Sequence, residues 1–233
     1  MLKRIKPDSY LTKFVGFCKK RYGKSLIAIG IYGSYAWGYF NKEKSDYDVF
    51  LIFNSKLRDE KKILQKKFKK ISVQYFCDKE DLLKLIKEGH WSPYITFLKS
   101  AKMLYFSKDY KILIKKMRKI NFIDNLKNID RIKWKIRFDK EVIEKNKGYG
   151  GAKYTLPALR SRLQLLTYIK YKKLIWDLSK IIKLNKDILT YEESKYLVEL
   201  DKSVKLRKDI FPNKEIAMKI LNKVGNKILE LLS

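Results

Sequence analysis

The chain of 233 residues holds two cysteines, Cys18 and Cys77, and one histidine, His90. Two thiols make no disulfide framework. One falls on an apolar helix face and the other at a strand end, which reads as reduced thiols in or near the core of a cytoplasmic protein. The histidine stands in Gly89-His90-Trp91-Ser92 with no visible acid–base partner and reads as a turn residue. No apolar run has the length of a membrane span and no secretory signal pattern opens the chain, so no membrane partner is expected. Acidic residues are scarce: 25 Asp and Glu stand against 55 Lys and Arg, a formal net charge of +30. Thermophilic ion-pair networks need Glu as well as Lys, so they account for this composition only in part. The excess is spread over both halves and is not a basic tail. Such a charge attracts polyanions, nucleic acid above all, through counterion release. An AT-rich coding composition would give the same abundance of Lys, Ile and Tyr without any partner.

The informative stretch is Ile31-Tyr32-Gly33-Ser34-Tyr35-Ala36-Trp37-Gly38, followed by a polar run and then Ser45-Asp46-Tyr47-Asp48-Val49-Phe50-Leu51-Ile52-Phe53. Side chains alternate along a strand, so Asp46 and Asp48 share a face. The five apolar residues behind them suit a strand buried on both sides. Two carboxylates held together repel, and a cation relieves the repulsion; oxygen-only ligands suit Mg²⁺. The preceding run Leu26–Tyr32 reads as another strand. Gly33 permits a tight turn after it, and Ser34 can open a short helix whose free N–H groups attract an anion. A phosphate turn and a carboxylate pair on adjacent strands describe a site for a metal-bound nucleoside triphosphate.

This pattern resembles the DNA polymerase beta-type nucleotidyltransferase superfamily. Its signature of an apolar residue, Gly-Ser or Gly-Gly, a spacer, then Asp-x-Asp between apolar residues is matched by Tyr32-Gly33-Ser34, an eleven-residue spacer and Asp46-Tyr47-Asp48-Val49. Ala36, Gly38 and Ser45 fit the fuller form of the motif. The resemblance implies transfer of a nucleoside monophosphate, AMP from ATP, to a hydroxyl on RNA, a small molecule or a protein, with release of pyrophosphate. It implies that Asp46 and Asp48 hold two Mg²⁺ (or Mn²⁺) ions, with Gly33, Ser34 and Ser45 on the nucleotide. The family usually adds a third carboxylate on the third strand. Here that position is Ser72, or Gln74 if the register slips by two. Three readings stay open: Glu141 or Glu144 completes the site, the substrate supplies the missing group, or the protein binds nucleotide without catalysis, as a nucleic-acid-binding or antitoxin-like partner protein.

The remaining periodicity predicts an α+β chain. Apolar spacing gives a helix over 8–22, a strand near 26–32, the Asp-x-Asp strand from Asp46 to Phe53, a Lys-rich helix over 56–70, a strand over 71–76, a helix from the cap Asp78 to Glu88, a short helix at Ser92-Pro93 and a strand over 102–106. These form a small mixed sheet backed by helices on one side, residues 1–106. An all-α bundle, residues 107–233, follows, with breaks at Gly148–Gly151 and Phe211-Pro212-Asn213. Trp134 and Trp176 read as bundle core, and Arg160 and Arg162 as an exposed helix face or a cleft lining. Tyr35, Trp37, Tyr39 and Phe40 either stack on a base or fill the space between helix and sheet. The six lysines from Lys61 to Lys70 are a solvated face or a nucleic-acid contact strip.

Overall fold

The computed structural model describes residues 6–38, 40–43, 45–57, 60–120, 122–125, 129–145, 148–206 and 212–233. The chain divides into two compact units, Met1–Asn121 and Phe122–Ser233. No helix among the described residues is long and apolar enough to cross a membrane.

The first unit is built on a four-stranded sheet of order β3-β2-β1-β4, with β1 Leu26–Ile31, β2 Tyr47–Phe53, β3 Ile71–Asp78 and β4 Lys102–Phe106. β1 pairs antiparallel with both β2 and β4, whereas β2 and β3 run parallel, so the sheet is mixed. Helices α1 (Ser9–Tyr22), α2 (Gly33–Trp37) and α3 (Glu60–Lys67) cover one face. Leu11, Phe14, Cys18 and Tyr22 recur at helical spacing on α1 and bury against Leu26, Ile29, Val49 and Leu51. Asp8 caps α1 by accepting from the Leu11 N–H at 2.9 Å.

One layer of helices leaves the other face of β1 and β2 exposed, yet β1 is buried at every residue. The opposite face is covered as well. Phe50 meets Phe97 with ring centroids 4.5 Å apart and lies 6.4 Å from Tyr110. Phe97 belongs to a π turn, Thr96–Ser100, that continues α5, Trp91–Ile95; Tyr110 belongs to α6, Lys108–Lys119. Before them in sequence, α4 (Lys79–Lys87) starts from Asp78, whose carboxylate accepts from the Glu80 and Asp81 N–H groups at 2.8 Å. The second layer therefore adds to the one-sided backing expected from periodicity. Strand signals stop at Phe106 as expected, but α6 packs on β1 and β4, which places the division between the units at Asn121.

The second unit is all helical: α7 Phe122–Asn125, α8 Ile129–Lys145, α9 Gly148–Tyr171, α10 Leu178–Leu184, α11 Tyr191–Leu206 and α12 Lys214–Leu232. α9 is its axis and touches α8, α10, α11 and α12. Gly148–Gly151, expected to break the chain, instead opens α9, and Pro157 lies inside that helix. Asn213 caps α12, accepting from Ile216 N–H at 3.1 Å; Phe211 lies outside the described residues. Trp134 is not core: it is 58% exposed and stacks on Phe138. Trp176 is half-buried beneath the Arg160 guanidinium. The two arginines line no open helix face. Arg160 pairs with Asp201, and Arg162 is buried 3.0 Å from Asp139, which Lys135 also meets at 2.7 Å.

Two outcomes follow. A Cβ at Gly30 would sit 2.1 Å from the Phe50 ring, so Gly30→Ala should cost roughly 1–3 kcal/mol in urea denaturation, and Phe50→Leu should relieve most of it. Burial pushes both the Cys18 and Cys77 thiols up to about 12. Neither should react with a thiol reagent at neutral pH until denaturant is added, when both should titrate.

Candidate functional site

The chain leaves β1 at Ile31, turns at Gly33 and returns antiparallel along β2, with Ile31 paired to Val49. This brings the turn beside Asp48. The Tyr32 N–H donates to the Asp48 carbonyl at 3.0 Å, one ladder bond beyond the last strand pair. Gly33 then adopts φ +66°, a conformation L side chains rarely take, and a Cβ there would lie 2.3 Å from Asp48 Oδ2. Glycine is required twice at this position, once for the backbone and once for the carboxylate packed on it. α2 begins at Gly33 and closes after one turn, with Gly38 in the left-handed region accepting the chain's exit.

Asp46 lies just before β2 and is exposed; Asp48 is half-buried within it. Tyr47, between them, is only 5% exposed because alternation turns it to the opposite face. There its hydroxyl donates to Asp8 Oδ2 at 2.7 Å, while the Asp8 N–H donates to the Tyr35 hydroxyl at 3.2 Å. The start of α1, the helix after the Gly33 turn and the strand of the acid pair are thus tied at one point. Tyr10, Tyr35 and Phe40 pack around Tyr47 with ring centroids 4.4–5.6 Å away. Of the aromatics after the turn, Tyr35 and Phe40 fill the space between helix and sheet; the Trp37 side chain and Tyr39 lie outside the described residues. Ser45 is buried, and its hydroxyl accepts from the Asn41 N–H at 3.1 Å while its own N–H donates to the Asn41 carbonyl at 2.8 Å. This closes the loop that delivers Asp46.

The third strand has the register expected of Ser72. β2 and β3 pair Asp48 with Ser72 and Val49 with Val73, then shift so that Phe50 meets Tyr75. Gln74 falls in the shift and donates from its amide to the Ser72 hydroxyl at 2.8 Å. Among the described residues no group of three or more His, Cys, Asp or Glu side chains is assembled to hold a metal ion. The donor set nonetheless fits Mg²⁺. This ion is commonly held by one or two carboxylates with the remaining positions filled by substrate phosphates and water. Glu141 and Glu144 lie exposed on α8 of the second unit, Glu141 in an ion pair with Lys145 at 3.3 Å.

Other titratable groups are accounted for locally. Tyr32 is raised well above the usual phenol value by burial, with smaller contributions from Tyr75 and from the Asp48 charge. His90 precedes α5 and lies 3.5 Å from Glu88, as a turn residue should. The Asp8–Tyr47 tie was not legible in the sequence. Asp8 carries the signature of a helix cap, but nothing in the spacing names its tyrosine partner.

A Gly-Ser turn and an Asp-x-Asp strand at neighbouring ends of a mixed sheet define a protein of the nucleotidyl-transfer class. The family described as nucleotidyltransferase domain matches residues 11–216, and the chain belongs to it. Among solved structures, the spectinomycin adenyltransferase AAD(9) from Enterococcus faecialis, with ATP and spectinomycin, shares 14% identity at a TM-score of 0.61, covering 96% of this chain and 99% of that one. A nucleotidyltransferase-like protein from Exiguobacterium sibiricum 255-15 aligns at 9% identity and a TM-score of 0.35, over 95% of this chain and 74% of that one. No curated protein matches the chain.

The contact between Gly33 and Asp48 gives a direct test. Gly33→Ala should lower stability by roughly 1–3 kcal/mol, through the strained φ and the displaced carboxylate together. In the Asp48→Ala background its cost should fall to that of the backbone alone. A double-mutant cycle that shows no coupling would refute the contact.

Proposed function

We propose that the protein is a Mg²⁺-dependent nucleotidyltransferase that moves AMP from ATP to a hydroxyl acceptor and releases pyrophosphate. The observation that supports this reading is the apposition of Gly33 and Asp48, which brings the Gly33 turn against the Asp48 carboxylate with no side chain between them. Gly33 and Ser34 would hold the β- and γ-phosphates through backbone N–H and hydroxyl groups. Asp46 and Asp48 would hold the ion, which when bound neutralises triphosphate charge and polarises the α-phosphate. Ser45 serves the nucleotide indirectly, by closing the loop that sets Asp46. The acceptor oxygen bonds to the α-phosphorus as the bond to the bridging oxygen breaks, and the acceptor proton passes to solvent or to an acceptor-borne group. Most of the rate enhancement then comes from positioning and charge neutralisation.

ATP as donor and a small molecule as acceptor are supported by the likeness to the spectinomycin adenyltransferase, whose structure holds both kinds of ligand. The two free thiols, Cys18 buried and Cys77 half-buried, suit a reducing cytoplasm. A second reading is nucleotide binding without transfer. It is favoured by Ser72, which stands beside Asp48 where a third carboxylate is usual, with its hydroxyl engaged by Gln74.

The test is incubation with α-labelled nucleoside triphosphates, Mg²⁺ or Mn²⁺, and small-molecule, RNA and protein fractions as acceptors. Wild type should transfer label from ATP. Asp46→Asn and Asp48→Asn should each lower transfer by about a hundredfold or more with an unchanged circular-dichroism melt. Binding of ATP with no label in any fraction would leave the second reading in place, and full activity in both variants would refute the site.

A further inference from the structure

A cavity of about 530 Å³ lies on the face of β2 opposite Asp46 and Asp48. Lys42, Lys67, Lys69 and Lys70 line it with Tyr10, Tyr47 and Asp8, four lysines to one acidic residue. That carboxylate is already engaged, by the Leu11 N–H on one oxygen and the Tyr47 hydroxyl on the other. The four lysines are exposed. Lys70 donates to the Lys42 carbonyl at 2.8 Å and Lys67 lies 4.6 Å from the Phe17 ring centroid, so their local partners are neutral. Among the described residues none of the four forms an ion pair. Four like charges round one concavity with a single counter-charge repel one another, and an anion in it relieves the repulsion.

We propose that this cavity binds phosphate groups of a single-stranded nucleic acid. The basic surface continues beyond it along α3 through exposed Lys66 and Lys62, one and five residues before Lys67. That helix rises about 12 Å over its eight residues, longer than one phosphate can use and suited to successive phosphates of a strand. Tyr10 is half-buried at the cavity, with its ring stacked on Tyr47 at 5.6 Å. It offers the aromatic platform beside cations that unpaired bases use. A concavity of this size admits a flexible strand, whereas a duplex meets it only at the rim. The position also links the cavity to the proposed chemistry. Lys42 belongs to the loop that Asn41 and Ser45 close ahead of Asp46, and Tyr47 separates the two aspartates. The proposal concerns binding alone and stands whether or not the protein transfers nucleotides.

The experiment is fluorescence anisotropy of the full chain with labelled single-stranded RNA and DNA of about fifteen nucleotides, across about 50–200 mM salt. Three proteins are compared: wild type, Lys42→Gln/Lys67→Gln/Lys69→Gln/Lys70→Gln, and a control with Lys172→Gln/Lys173→Gln/Lys183→Gln/Lys186→Gln, four exposed lysines of the helical unit. Thermal melts check that each is folded. The cavity variant should bind roughly tenfold more weakly or worse and lose about 3 from the salt slope, since each neutralised phosphate on a single strand contributes about 0.7. The control should stay close to wild type. Equal losses in both variants would assign the binding to net charge and overturn the proposal, as would wild-type affinity in the cavity variant. A folded wild type that binds neither strand overturns it too.

Discussion

The carboxylate of Asp48 and the backbone of Gly33 occupy neighbouring space that no Cβ can enter. Much else in the first unit serves that contact. The antiparallel pairing of β1 with β2 carries the end of one strand to the start of the other. The Tyr32–Asp48 bond extends the ladder one step into the turn, and the positive φ of Gly33 then lifts the chain into α2. Shift the register by one residue and Asp48 would face the helical layer while Tyr47 faced the turn. The register is protected by burial: β2 holds Val49, Phe50, Leu51 and Ile52 fully buried between two helical layers. Such a strand cannot slip without placing the two aspartates in the core.

Tyr47 gives this arrangement a second anchor. It lies between the carboxylates in sequence yet on the other side of the sheet, where its hydroxyl donates a hydrogen bond to Asp8. The same aspartate caps α1, so a single side chain joins the first helix to the strand that carries the candidate site. Behind that junction the lysines of Lys42 and the α3–β3 turn gather. One side of β2 therefore offers two carboxylates and the other a concentration of ammonium groups.

Much of the first unit was readable from the residues alone. The apolar strand from Val49 to Phe53 and the Gly-Ser turn follow from short-range rules, and Ser72 was correctly placed beside Asp48 by spacing. Long-range partners were less readable. The second helical layer appears in sequence only as ordinary amphipathic helix, with nothing to say which sheet face Phe97 and Tyr110 will cover. Arg160 and Arg162 have the look of surface cations, and only tertiary packing brings Asp201 and Asp139 to them. The Gly148–Gly151 run looks like a break, but a helix can start on glycine when neighbouring helices pack its first turns, and Gly151 and Ala152 are buried there. Trp134 failed in the other direction, since its spacing matches a core stripe while its side chain stacks on exposed Phe138.

The claim at the centre is that Gly33, Asp46 and Asp48 make a site for triphosphate and divalent cation together. Calorimetric titration of ATP, with Mg²⁺ and with EDTA, into wild type and Asp46→Asn/Asp48→Asn measures it without requiring an acceptor. The account predicts that Mg²⁺ tightens ATP binding by about tenfold or more in wild type, roughly the scale of one charge-assisted contact, and leaves the variant unmoved. Equal affinity with and without Mg²⁺ in wild type, or metal dependence that survives in the variant, would contradict it.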